Sequence, residues 1–206
     1  MELREGLLDV WVVAVALLAL KMIGVAQLIG IIRLLQGSFA TVEDYELLRA
    51  TFGPPPQGIP PVHNTPGLRR LGAIQRNDVE NIPLFCILSA AYLATDPAVG
   101  EARILFSVYV VSRVMHTVLY ALRSSPWRSI AFGVGVQVML IMAGRVAAHV
   151  LPSASVTVQV VINAPILVHW VVGLITLSVV SEQRHRYDQL AQLQGVQVLE
   201  GNVGDA

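Results

Sequence analysis

The chain has 206 residues, 54% of them hydrophobic and 14% charged, with a mean hydropathy of +0.63. Soluble domains carry about 25% charged residues, so this composition excludes an ordinary water-soluble fold and points to an all-α membrane protein. The formal net charge of zero argues against a nucleic-acid partner, and one cysteine, Cys86, can build neither an internal disulfide nor a cysteine-based metal site.

Five stretches are long enough to cross a bilayer as helices, the natural reading because backbone groups in lipid must bond internally. The first, 7–35, follows Met1-Glu-Leu-Arg-Glu-Gly6 without a small-residue cleavage site and reads as a retained signal anchor. It carries Lys21 near mid-depth, expected to neutralise a carboxylate such as Glu80, and Arg33 at its far end. Residues 36–76 read as one long polar loop that holds Asp44. Its centre, Gly53-Pro-Pro-Pro-Gln-Gly-Ile-Pro-Pro61, cannot be regular helix, because proline removes donors and fixes φ.

The second stretch, 77–94, opens on Arg76-Asn-Asp-Val-Glu80. Arg76 and Glu80 are one turn apart, and Asn77 is three residues from Glu80, so these pairs share faces. A solvated helix end would explain four polar groups in five residues. Glu80, however, runs on into Ile-Pro-Leu-Phe, and a carboxylate at that depth is usually paired or faces a ligand.

The third stretch, 104–122, carries Tyr109, Arg113, His116 and Tyr120 at spacings of four, three and four. On an α-helix they fall within roughly 60° of one another. Arginine at mid-membrane costs at least about 2.5–3.5 kcal/mol, so this stripe has to meet a partner or a polar ligand. A salt bridge from Arg113 to Glu80 is the plainer outcome.

A short link, Arg123-Ser-Ser-Pro-Trp-Arg-Ser129, leads to the fourth stretch, 130–150. Pro126 signals a helix start. An arginine and a hydroxyl there, Arg128 and Ser129, suit an anion through guanidinium, free N–H groups and the positive dipole end. The bland alternative is an interfacial arginine. The fifth stretch, 156–180, bears Asn163, Pro165 and His169 and is expected to cross or to break at the proline. A polar tail, 182–206, follows.

With the long loop placed in the cytosol, nine arginines (33, 49, 69, 70, 76, 123, 128, 184 and 186) lie on that side and three (4, 103 and 145) opposite. This bias predicts a non-cytoplasmic N-terminus.

Four of these stretches together resemble the MAPEG family, the membrane-associated proteins of eicosanoid and glutathione metabolism. They are Arg33…Ser38-Phe-Ala-Thr-Val-Glu-Asp44, Arg76-Asn-Asp-Val-Glu-Asn81, Arg113-Val-Met-His-Thr-Val-Leu-Tyr120 and Pro126-Trp-Arg-Ser129, with order and spacing matching over about 7–150. The resemblance implies a four-helix transmembrane bundle over 1–150; the additional hydrophobic helical segment at 151–181 is a departure from it, since family protomers of this type end after the fourth helix. The resemblance also implies an endoplasmic-reticulum homotrimer with glutathione bound between protomers.

By position, Arg33, Arg76, Asn77, Asp78, Glu80, Arg113, His116, Tyr120, Arg128 and Ser129 match the glutathione-binding set. Arg128 matches the residue assigned to the thiol, with Asp44 and Ser129 as its helpers. The implied activity is conjugation of glutathione to lipophilic electrophiles, or isomerisation or reduction of lipid peroxides. A lipid-presenting scaffold without catalysis and a small channel are the rival readings. Three departures from the prostaglandin-isomerising branch stand out: Ala73 for an arginine, Gln75 for a histidine, and Phe132 for a tyrosine.

Overall fold

The computed structural model describes residues 2–54 and 63–151, with side chains from residue 6 onward except 52, and scattered helical residues between 164 and 189. Five helices occupy the first two ranges: α1 (Glu2–Gln36), α2 (Val42–Phe52), α3 (Pro66–Leu93), α4 (Val99–Ala121) and α5 (Ser125–Val150). Four long helices pack into one bundle. α4 lies against α1 and α5, and α3 touches all three.

Direction follows from contacts at the helix ends. Gly6 of α1 meets Val99 of α4, so these two run parallel. Arg145 near the end of α5 reaches Glu101 near the start of α4 at 2.9 Å, so α5 runs opposite. Trp11 of α1 donates to Ser89 Oγ of α3 at 2.8 Å, which sets α3 opposite as well.

The core is aromatic. Phe85 stacks on Tyr109 at 3.9 Å between centroids, and Phe106 sits edge-on to both Phe85 and Tyr92. On α3 the buried positions Asp78, Ile82, Phe85, Ser89 and Tyr92 recur at helical spacing and form its inward stripe. Pro83 lies inside α3 and cannot donate to the Val79 carbonyl one turn back.

α1 from Gly6, α4 and α5 are each long and apolar enough to cross a membrane. Together with the aromatic core they make an all-α membrane bundle. α3 is equally long, but the charges at Arg76, Asp78 and Glu80 keep its composition below that of its neighbours.

Two elements depart from the expected loop at 36–76. α2 forms where Thr41 caps the helix, its Oγ1 accepting from the Asp44 N–H at 3.2 Å, with Glu43 and Asp44 in the first turn. α3 begins at Pro66, eleven residues earlier than its apolar stretch, because Thr65 caps it and proline suits its first turn. Gly53, at φ 72°, ends α2.

Residues from 164 onward form a second unit, helical where described, with an ion pair between Arg186 and Glu182 at 2.7 Å. Most of 156–180, including Asn163, Pro165 and His169, lies outside the described residues, as does most of the tail.

Candidate functional site

The α4 stripe is the spine of the site. Tyr109, Arg113 and His116 are buried and Tyr120 is half-buried at the helix end. Arg113 is 1% exposed and lies between two rings, 5.6 Å from the Tyr109 centroid and 5.3 Å from that of Phe132. Its Nη1 donates to Asn77 Oδ1 at 3.0 Å. The expected bridge to Glu80 does not form, since Glu80 turns outward. Asn77 is the α3 residue that meets Arg113.

A charge pair backs this contact. Lys21 Nζ donates to both oxygens of Asp78, at 2.6 and 2.5 Å, with the carboxylate fully buried and the lysine side chain 11% exposed. Two sequence expectations change here. Lys21 neutralises Asp78 rather than Glu80, and Asp78 is engaged inside the bundle instead of standing among the ligand-facing groups. The reason is rotational: Asp78 and Glu80 are two residues apart, about 200° around a helix, so only one can face α1.

Gly135 of α5 makes room for the arginine. A Cβ there would lie 2.9 Å from Ser112 Oγ and 3.0 Å from Arg113 Nη2. Tyr109 completes the α3–α4 seam by donating to the Asn81 carbonyl at 2.9 Å. Lys21, Asn81 and Gly135 were absent from the sequence-derived set. Asp78 shares the helical spacing of Ile82, Phe85 and Ser89, a pattern that placed it on the inward face.

Toward the α4–α5 turn the stripe continues as rings and cations. His116 lies 5.7 Å from Tyr120 and 6.2 Å from Phe132. The Arg128 guanidinium sits over the Tyr120 ring at 4.2 Å. α5 starts at Ser125 with proline in its first turn, and this start sets Arg128 beside the end of α4. Ser129 is exposed, and its hydroxyl donates to the Ser125 carbonyl at 3.3 Å.

The remaining residues fall into two groups. Arg33 bonds the Ser38 carbonyl at 3.3 Å and Asn64 Oδ1 at 2.9 Å, tying the end of α1 to the approach of α3. Asp44 is exposed in the first turn of α2. Arg76 and Glu80 are exposed on the outer face of α3, opposite Asp78. Within one chain, the contacts join Asn77, Arg113, Phe132, His116, Tyr120 and Arg128 into one path. Arg33, Asp44, Arg76 and Glu80 make no described contact with it.

Two properties define what this path can hold. Arg113 Nε and Nη2 and His116 Nδ1 are buried with no hydrogen-bond partner. Moreover, Arg113 and Arg128 form no ion pair among the described residues, whereas Lys21, Arg49, Arg145 and Arg186 each have a carboxylate. Guanidinium groups left without anions match carboxylate-bearing or thiolate-bearing molecules.

The family model described as the MAPEG family matches residues 11–148. The chain is also 34% identical over 134 residues to a prostaglandin E synthase from Bos taurus, covering 64% of this chain and 82% of the relative. It is 32% identical over 123 residues to a prostaglandin E synthase from Rattus norvegicus, covering 60% and 75% respectively.

Proposed function

The chain belongs to the MAPEG family, and from that membership we propose that it is a glutathione-dependent integral membrane enzyme of the endoplasmic reticulum, working as a homotrimer. It ionises the glutathione thiol and directs it at lipophilic electrophiles or lipid peroxides that arrive from the bilayer. The observation that carries this reading is Arg128, without a carboxylate partner, held over Tyr120 at the α4–α5 turn, with Arg113 and His116 buried behind it.

A free thiol has a pKa of about 8.5, so only a few per cent is thiolate at neutral pH. A guanidinium near the sulfur favours the ionised form and stays charged when partly buried. The cation–π contact with Tyr120 holds the guanidinium in place without consuming its N–H groups. In this assignment Arg128 faces the thiol and His116 and Tyr120 flank the tripeptide. Arg33, Arg76, Asn77 and Glu80 hold its carboxylates and amine. Asp44 and Ser129 assist the chemistry near the thiol.

Arg76 and Glu80 face outward from their own bundle, so they serve a ligand held by a neighbouring copy. α3 is then the fourth crossing helix, its outer face turned to the neighbouring copy. The three departures noted at Ala73, Gln75 and Phe132 favour a broad transferase or peroxidase activity over prostaglandin isomerisation.

The test is calorimetric titration of the detergent-solubilised protein with glutathione, paired with turnover of a haloarene, a lipid hydroperoxide and a prostaglandin endoperoxide. Saturable binding with at least one glutathione-dependent turnover supports the reading. Absence of any heat of binding sinks it and leaves a lipid-presenting scaffold.

A further inference from the structure

The parallel helices α1 and α4 leave a groove between them, in the halves near the α1 N-terminus, far from Arg128. It encloses about 460 Å³. Val13 and Leu17 of α1 face Phe106 and Val110 of α4, while Asp9 and Arg103 stand at its mouth. Asp9 and Arg103 are both exposed, and no ion pair joins them among the described residues. Val13 and Leu17 are at least half exposed, so the apolar wall opens to the bilayer.

Length and charge identify an occupant. The eight helical steps from Asp9 to Leu17 rise about 12 Å, close to the roughly 15 Å of one hydrocarbon leaflet. An apolar trough of that depth fits an acyl chain. A mouth with one cation and one anion fits a headgroup carrying both signs, with phosphate on Arg103 and ammonium on Asp9. An anionic headgroup would gain Arg103 but meet Asp9 repulsively. A second groove, between α4 and α5, has no charged residue in its lining and makes no such selection.

We propose that the α1–α4 groove binds one zwitterionic glycerophospholipid, its acyl chain along Val13, Leu17, Phe106 and Val110 and its headgroup between Asp9 and Arg103. This site is independent of the glutathione reading and stands or falls separately from it.

The full-length protein is reconstituted in nanodiscs containing equal phosphatidylcholine and phosphatidylglycerol, extracted in mild detergent, and its retained lipid counted by native mass spectrometry. One phosphatidylcholine per chain is expected, preferred by about tenfold over phosphatidylglycerol, the scale of one lost ionic contact. Val13→Trp, which fills the groove from its exposed wall, abolishes retention, and Arg103→Gln lowers it by about tenfold. Glutathione titration is unchanged in both variants. Equal retention of the two lipids, or undiminished retention by Val13→Trp, overturns the proposal. If the wild type holds no lipid and Val13→Trp lowers the oligomeric state, a second copy covers the groove and the proposal fails.

Discussion

Replacing Arg128 with Gln tests the proposed chemistry most directly. A unit charge about 4 Å from a thiolate contributes about 4 kcal/mol at an effective dielectric constant of about 20. Arg128 is half-buried rather than enclosed, and solvent screening cuts this to roughly 2 kcal/mol, or about 1.5 pKa units. The bound thiol is then expected to titrate at about pH 7 in the wild type and about pH 8.5 in the variant. At about pH 7 the thiolate fraction falls about fifteenfold. The more basic sulfur is intrinsically more nucleophilic, with a Brønsted coefficient of about 0.4–0.5, and this restores about fivefold. Ionisation alone therefore accounts for only about a threefold loss at neutral pH. The pH profile discriminates better than any single rate. Turnover of a chromogenic haloarene should level off above about pH 7 in the wild type and keep rising to about pH 8.5–9 in Arg128→Gln. A deficit that persists at high pH reports charge stabilisation in the transition state as well. Arg128→Lys should retain most of the shift, since it keeps the charge and loses only the planar stack. The fold should survive, because the contact over Tyr120 is worth about 0.5–1 kcal/mol. Profiles that inflect at the same pH, with glutathione still bound, would falsify the assignment.

Two further expectations concern the structure behind the site. Asp78→Ala strands the Lys21 ammonium inside the bundle and should destabilise the protein by about 3–5 kcal/mol, while the apolar pair Lys21→Met with Asp78→Leu recovers most of the loss. Thermal unfolding in detergent measures both, and an unchanged midpoint in Asp78→Ala refutes the role of the pair. Gly135→Ala forces Ser112 and Arg113 to yield, costing about 1–3 kcal/mol and weakening glutathione binding through loss of the Asn77 contact. Wild-type stability and affinity in that variant would show that the close approach is easily relieved.

Much of the bundle was legible because membrane crossing imposes a single strong demand, about 20 apolar residues in a row. The ends of α1 and the stripe on α4 follow from that demand and from helical spacing, and Pro126 marked the start of α5. α2 and the first eleven residues of α3 were missed because neither is apolar. Their signals were caps instead, Thr41 followed by Glu43 and Asp44, and Thr65 followed by Pro66. The partner of Lys21 was misassigned through depth alone. Depth makes Glu80 and Asp78 equally suitable, whereas the recurrence of Asp78 with Ile82 and Phe85 separates them. In the proposed assembly the relation of Arg33 and Arg76 to Arg128 is a contact between copies.

That last relation has a direct test. Arg76 is exposed and unpaired, so Arg76→Ala should leave the unfolding midpoint unchanged yet abolish glutathione binding. Arg128→Gln impairs catalysis from the other side of the same ligand. If each site takes Arg76 from one copy and Arg128 from its neighbour, two defective chains can rebuild intact sites. A site is whole when the chain lending Arg76 is the Arg128→Gln variant and the chain lending Arg128 is the Arg76→Ala variant. In random trimers from an equal mixture both conditions hold at about one quarter of the sites. Co-expression of the two variants should therefore give about a third of wild-type turnover at about pH 7, against about a sixth for the average of the two variants, because the intact quarter adds to the sites that lack only Arg128 and keep about a third of their rate. Had both arginines served a ligand within one chain, no mixture could contain an intact site. Turnover of the mixture would then equal the average of the two variants, and the intersubunit assignment would be withdrawn even if glutathione binds.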